Sequence, residues 1–157
     1  MTCAAAKGGA ASTTTVDTSL RSLAWCRDNL ALNDLGSRAH RQERADPRTF
    51  LDKISGDGPD VDRGFDLCVM EPPTFAVRAA GVEASEEFDV QRDHPALIAE
   101  ALAALRDGGV LWFVTRAQRF EPRLEALRVS ELVEMTDQTV PEEYRNLQVH
   151  RAWRIMR

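Results

Sequence analysis

Apolar positions along the chain fall into short β-branched or aliphatic runs separated by stretches with helical spacing. Ser12-Thr-Thr-Thr-Val16 is the first such run, bounded by Gly8-Gly9 and Asp17, and predicts a strand. Leu20, Leu23, Ala24, Leu30 and Ala31 then recur at the spacing of one helix face. Ser19 is placed as its N-cap and Asn33-Asp34-Leu35-Gly36 as its stop. Ala39 to Ala45 predicts a short polar strand that runs into Asp46-Pro47. A brief helix over Arg48 to Ile54 and a Gly/Asp/Pro turn over Ser55 to Gly64 follow.

Phe65-Asp-Leu-Cys-Val-Met70 is a compact run between Gly64 and Pro72-Pro73, and predicts a buried strand. Thr74 to Asp89 shows no period and reads as a long loop. Leu97, Ile98, Ala101, Leu102 and Leu105 predict a helix over Ala96 to Leu105, stopped by Gly108-Gly109. Val110 to Val114 reads as a second buried strand and Pro122 to Leu127 as a helix. Glu131 to Met135 and Ala152 to Met156 are the last strands, separated by the polar segment Thr136 to Arg151. Trp25 and Trp112 sit in apolar patterns that assign them to the core. Strands alternating with helices predict an α/β fold with a doubly wound, mostly parallel sheet.

A chain of 157 residues suits one domain, so residues 1–157 are expected to form a single unit. No apolar run approaches the roughly 20 residues of a membrane-spanning helix. Cys3, Cys26 and Cys68 are far apart and lack any CxxC pairing, which fits reduced thiols in the cytoplasm. His40, His94 and His150 lack ligand-like spacing, so no metal is expected. The net charge of −5 neither requires nor excludes nucleic acid, because basic clusters (Arg38 to Arg44, Arg145 to Arg157) stand against an acidic whole.

Ligands of doubly wound sheets bind beyond the carboxyl ends of the strands. Three predicted strands end in chemically conspicuous groups, at Asp17, at Asp46 and at Glu71-Pro72-Pro73. Each has a plain alternative reading: Asp17 as a helix cap, Asp46-Pro47 as a turn, the prolines as an exit from the sheet. Together, acidic groups at successive strand ends suit a nucleoside, since one carboxylate can accept both ribose hydroxyls and another an amino group.

These residues bring a family into view. Lys7 to Asp17, Asn29 to Asn33, Glu71-Pro-Pro-Thr-Phe75, Phe88-Asp-Val-Gln-Arg-Asp-His94 and Arg145 to Trp153 resemble class I S-adenosylmethionine-dependent methyltransferases. Within that class they are most similar to the bacterial large-subunit ribosomal RNA guanine-N7 methyltransferase domain of the K/L type. The resemblance implies S-adenosylmethionine as cofactor, with Asp17 on its ribose and Asp46 on its adenine amino group. It places Glu71, Pro72 and Pro73 at the family's Asp/Asn-Pro-Pro position, facing both the transferred methyl and the target base. It makes Phe75 a candidate to stack on that base, a contact of about 1–3 kcal/mol; an anchor in the core is the other reading. Ribosomal RNA is the implied partner. Arg92, Asp93 and His94 either hold the long loop or fix the start of the following helix. Cytosine-C5 transfer would need a cysteine after the strand at Val110 to Val114, where Thr115-Arg116-Ala117-Gln118 stands instead.

The chain also departs from the family. Members place a strand and a glycine-bearing turn before the helix that matches Thr2 to Ala6, and Met1 falls just after that turn. The resemblance therefore implies an N-terminally truncated domain whose sheet lacks its first, central strand. An uncovered strand edge invites pairing, so a homo-oligomer is one expected consequence. Glu71 stands where the family has Asp or Asn, and its extra methylene displaces the carboxylate by about 1.5 Å. The alternative function is an inactive remnant that binds RNA or a partner without catalysis.

Overall fold

The computed structural model describes residues 1–55, 64–83, 86–145 and 149–157. Most of the Ser55 to Gly64 turn, and Asn146 in the C-terminal block, lie outside these residues. The chain separates into two compact units, one of Met1–Phe50 with Ala79–Ser85, the other of Leu51–Arg78 with Glu86–Arg157.

The first unit contains α1 (Thr2–Lys7), β1 (Thr13–Asp17), α2 (Leu20–Leu32) and β2 (His40–Arg44), and α3 (Pro47–Ser55) starts within it. β1 and β2 are parallel neighbours, with Thr13 opposite His40 and Asp17 opposite Arg44. The Ser19 hydroxyl accepts from the Ser22 N–H and so caps α2 as expected. At the other end Asp34 takes a left-handed conformation (φ 57°). The Leu35 N–H then reaches the Leu30 carbonyl and the Asp34 N–H that of Ala31, the paired bonds of a Schellman stop. Leu23 and Leu30 of α2 are buried, but Trp25 is 70% exposed and does not join the core. It lies outside the face defined by Leu23 and Leu30, and apolar content alone had suggested otherwise.

The second unit is built on a four-stranded sheet in the order β3-β6-β8-β7, comprising Phe65–Met70, Leu105–Thr115, Arg151–Met156 and Glu131–Glu134. β3 and β6 are parallel, while β8 runs antiparallel to both β6 and β7. Register sorts the side chains. Leu111, Phe113 and Ile155 are fully buried on one face, against Leu97, Ile98 and Ala101 of α4 (Val90–Ala103). Phe113, Phe120, Trp153 and His94 form a ring cluster within this core, with centroids 4.6 to 6.4 Å apart. Each such buried side chain contributes about 1.5–3 kcal/mol. β3 is not the doubly covered strand its sequence predicts. As the terminal strand it buries Cys68 and Met70 partly, while Leu67 and Val69 on the opposite face remain 48% and 41% exposed.

Three further boundaries differ from expectation. The Thr74 to Asp89 loop contains a small antiparallel pair, β4 (Phe75–Ala76) with β5 (Phe88–Asp89). α4 starts six residues before Ala96, because the Asp89 carboxylate accepts from the N–H groups of Gln91 and Arg92 and caps it. Gly108-Gly109 does not stop this helix but forms the irregular start of β6, where the register with β3 shifts. A Cβ on Gly109 would stand 2.8 Å from the Arg106 carbonyl oxygen, so only glycine fits there.

Residues 122–127 form no helix, only a turn closed by the Leu127 N–H on the Leu124 carbonyl. Side chains of α4 bind this backbone instead: the Glu121 N–H donates to Gln91 Oε1 and the Arg123 N–H to His94 Nε2. A short helix, α5 (Thr136–Thr139), interrupts the polar segment before β8.

Candidate functional site

Asp17 closes β1, and Asp46 follows Arg44, its cross-strand partner's position, at the same end of β2. Parallel pairing thus brings both carboxylates to one edge of the two-stranded sheet. Asp17 Oδ1 accepts the Ser19 N–H at 2.8 Å, turning the chain into α2. Asp46 Oδ1 accepts from the Arg48 N–H at 2.9 Å and the Thr49 N–H at 3.4 Å, at the start of α3. Each acid therefore uses one oxygen to turn its own backbone. The second oxygen of each has no hydrogen-bond partner among the described residues and stays open as an acceptor. Arg44 ties the neighbouring loop to this edge, donating to the carbonyls of Thr18 and Ala80.

Glu71, Pro72 and Pro73 leave the carboxyl end of β3 in the second unit. The Glu71 carboxylate accepts from Arg116 Nε at 2.8 Å, and Arg116 is the first residue after β6. The ends of two paired strands are thereby locked to each other. The prolines fix φ at positions 72 and 73, and the chain bends at Thr74 before Phe75. Phe75 pairs with Asp89 through its backbone, and its ring is 55% exposed, so it is not a core anchor. Asp17 and Asp46 belong to the first unit, and Glu71 to Phe75 belong to the second.

Phe88 to His94 acts as a clamp. The Asp93 carboxylate accepts from the Asp89 N–H and from the Arg92 guanidinium. His94 is fully buried, with Nδ1–H donating to the Val90 carbonyl and Nε2 accepting from the Arg123 N–H. Burial lowers its pKa, which favours this neutral state. Pro95 has no N–H for the Gln91 carbonyl one turn back, and the Arg123 guanidinium supplies that donor instead at 2.8 Å. The motif thus fixes the helix start and, with it, residues 120–123.

The sequence reading missed the segment after β6, which it consulted only for the absence of cysteine. Residues 116–120 line a hollow of about 1080 Å³ together with Glu134, Thr136, Asp137, His150 and Arg151. Arg151 holds Glu134 through two hydrogen bonds, which keeps that carboxyl below its usual range. The strand-end rule applied to β6 would have found this segment. Burial pushes the Cys68 thiol up to about 11, so it remains protonated at neutral pH. Among the described residues no three His, Cys, Asp or Glu side chains gather as a metal-holding group. No described helix is long and apolar enough to cross a membrane.

No protein-family model matches the chain. It is 40% identical over 154 residues to the ribosomal RNA large subunit methyltransferase K of Neisseria meningitidis serogroup B, covering 96% of this chain and 41% of that protein. It is 39% identical over 152 residues to the ribosomal RNA large subunit methyltransferase K/L of Shewanella amazonensis, covering 95% of this chain and 20% of that protein. The chain therefore spans about two fifths of the one curated relative and one fifth of the other. Among solved structures, SMU.776 in complex with SAH superposes with a TM-score of 0.72 at 22% identity, over 98% of this chain and 41% of that one. The SAM-dependent methyltransferase from Agrobacterium tumefaciens gives a TM-score of 0.63 at 22% identity, over 74% and 35%. These structural matches show the fold.

Proposed function

We propose that this chain, a homologue of part of the large-subunit ribosomal RNA methyltransferases K and K/L, is the methyl-transferring part of such an enzyme. On this reading it uses S-adenosylmethionine and acts on guanine N7. The observation that carries the reading is the 40% identity to the Neisseria relative, sustained over 96% of the chain. Two open carboxylate oxygens at the carboxyl end of the paired strands, on Asp17 and Asp46, are acceptors of the kind a nucleoside's hydroxyl and amino groups need. Asp17 would accept from the ribose hydroxyls and Asp46 from the adenine amino group.

When bound, S-adenosylmethionine supplies an electrophilic methyl group on a sulfonium. The remaining work belongs to the chain. Guanine N7 carries a free lone pair and no proton, so its attack needs no general base. Positioning is then the main contribution, worth up to about 7–11 kcal/mol in well-oriented systems. Pro72 and Pro73 stiffen the segment that presents the base, and Arg116 fixes the Glu71 carboxylate so that its longer side chain does not wander. The exposed Phe75 ring offers a stacking face. Both units would then serve a single catalytic domain in the cytoplasm, where its ribosomal RNA substrate is found. Pairing with another copy along β3, the terminal strand of its sheet, belongs to the same reading.

Calorimetric titration with S-adenosylmethionine tests the proposal, followed by transfer of a labelled methyl to ribosomal RNA and chemical cleavage at N7-methylguanine. Saturable binding that D17A abolishes, with label at a single guanine, is the expected result. No binding by a folded chain overturns the enzymatic reading. RNA binding without cofactor binding would favour a non-catalytic binding module.

A further inference from the structure

The hollow beyond β6 has the makings of a second site. The chain leaves the sheet at Thr115, whose hydroxyl accepts the Ala117 N–H and starts the loop. Arg119 then takes a left-handed backbone conformation, φ 56°, which L side chains seldom adopt. The C-terminal side of that residue is held. The Phe120 carbonyl accepts from Arg151 Nη1, and the Phe120 ring packs against His94 and Trp153 in the core. A strained residue kept in place by its surroundings is a common mark of a binding loop.

The basic side chains along the lining are mostly paired, whereas the Asp137 carboxylate has no partner among the described residues. Arg151 is paired with Glu134, and Arg116 gives its Nε to Glu71. Arg119 is exposed, and its side chain has no hydrogen-bond or ion-pair partner among the described residues. The strained backbone thus presents an unpaired guanidinium over a hollow, with the exposed outer edge of Arg116 on the same loop. A guanidinium fork of this kind matches phosphate oxygens. Because Arg116 also holds Glu71, an anion seated here lies beside the diproline segment.

We propose that this hollow seats a phosphodiester of the acceptor RNA strand, with Arg119 as its principal contact and Arg116 as its second. The inference rests on the reading of RNA as the substrate and adds the place where the strand is gripped. The phosphate would position the strand without reading its sequence.

The test is fluorescence anisotropy of the full 157-residue chain with a short labelled single-stranded RNA, titrated with salt and without S-adenosylmethionine. R119A is expected to weaken binding roughly three- to tenfold at low salt, and to flatten the dependence of log K on log salt by about 0.7. R119K, which keeps the charge, should retain most of the slope, and circular dichroism checks that each variant folds. R128A, on an exposed residue away from the hollow, should bind as the wild type does. Unchanged binding by R119A, an equal loss in R128A, or no RNA binding by the wild type would each overturn the proposal. A chain that binds RNA through Arg119 but takes up no cofactor would keep this inference and lose the methyl-transfer reading. The converse result would keep that reading and lose this inference.

Discussion

Among the described residues of the first unit, Leu23 and Leu30 are the only buried apolar side chains, whereas the second unit buries an aromatic and aliphatic cluster around Phe113. The contrast follows from composition. β1 and β2 read Thr-Thr-Thr-Val-Asp and His-Arg-Gln-Glu-Arg, strands with little to bury, and their residues are half-buried or exposed. β6 and β8 carry Leu, Phe, Trp and Ile at alternate positions and lie beneath α4. Asp17 and Asp46, proposed above for the nucleoside, stand on the sparsely buried unit, and Glu71 to Phe75, proposed for the acceptor base, on the densely buried one. Binding elements are commonly drawn from the less stable parts of a fold, because a site that must admit ligand is poorly served by a sealed core.

Truncating the two cores should expose this difference most strongly. Phe113→Ala removes a fully buried ring and should cost about 3–5 kcal/mol, while Leu30→Ala should cost about 2 kcal/mol, measured by denaturant unfolding. Amide exchange resolves the same contrast by residue: N–H groups of β6 and β8 should open at higher free energy than those of β1 and β2. Equal costs and uniform exchange would break the comparison.

Backbone crowding gives the next effect. Gly109→Ala forces a Cβ against the Arg106 carbonyl and Phe65 oxygen and should destabilise by about 1–3 kcal/mol. Gly36, in the first unit, has nothing within 4 Å of an added Cβ and no positive φ, so Gly36→Ala should be neutral or slightly stabilising.

A pH effect should arise in the second unit, at His94. Burial holds His94 neutral in the fold, with its pKa below the ordinary 6.5. Between that lowered value and 6.5 the unfolded chain binds more protons than the folded one, so stability rises with pH. His94's contribution is fully present above that window and is lost as the pH falls through it. In H94Q, whose amide cannot titrate, unfolding midpoints followed across this range should lose that part of the slope. An unchanged slope would show that His94 does not govern it.

How much of this was legible in the sequence depended on whether the signal was local. The Ser19 cap, both strands of the first unit and the buried face of α4 follow from neighbours along the chain and were found. The placement of Asp17, Asp46 and the diproline segment at or just past strand ends was legible because each follows a local β-run. Long-range competition misled one element: the helix expected over Pro122 to Leu127 is lost to side chains thirty residues earlier. Trp25 was misplaced for a local reason, since it lies off the helix face of Leu23 and Leu30 although its sequence neighbours are apolar. Arg119 has no sequence signature, since its place depends on Phe120 being held by Arg151 and by the ring cluster.

The smallest expected effect is the most diagnostic of how the second unit is assembled. Pro95 lies inside α4 and leaves the Gln91 carbonyl without its helical donor, and Arg123 Nη2 fills that place while also reaching the Arg92 carbonyl. Arg123→Ala should therefore cost about 1 kcal/mol, the usual worth of an exposed charge-assisted bond. Pro95→Ala restores an N–H that can bond to the Gln91 carbonyl from within the helix. In that background the guanidinium becomes partly redundant, so Arg123→Ala should cost roughly 0.5 kcal/mol less than in the wild type, within the range expected of residues in contact. A double-mutant cycle measures the difference. Strict additivity would mean that the arginine acts only through the Arg92 carbonyl, and that the proline and the arginine are unrelated features of the same strap.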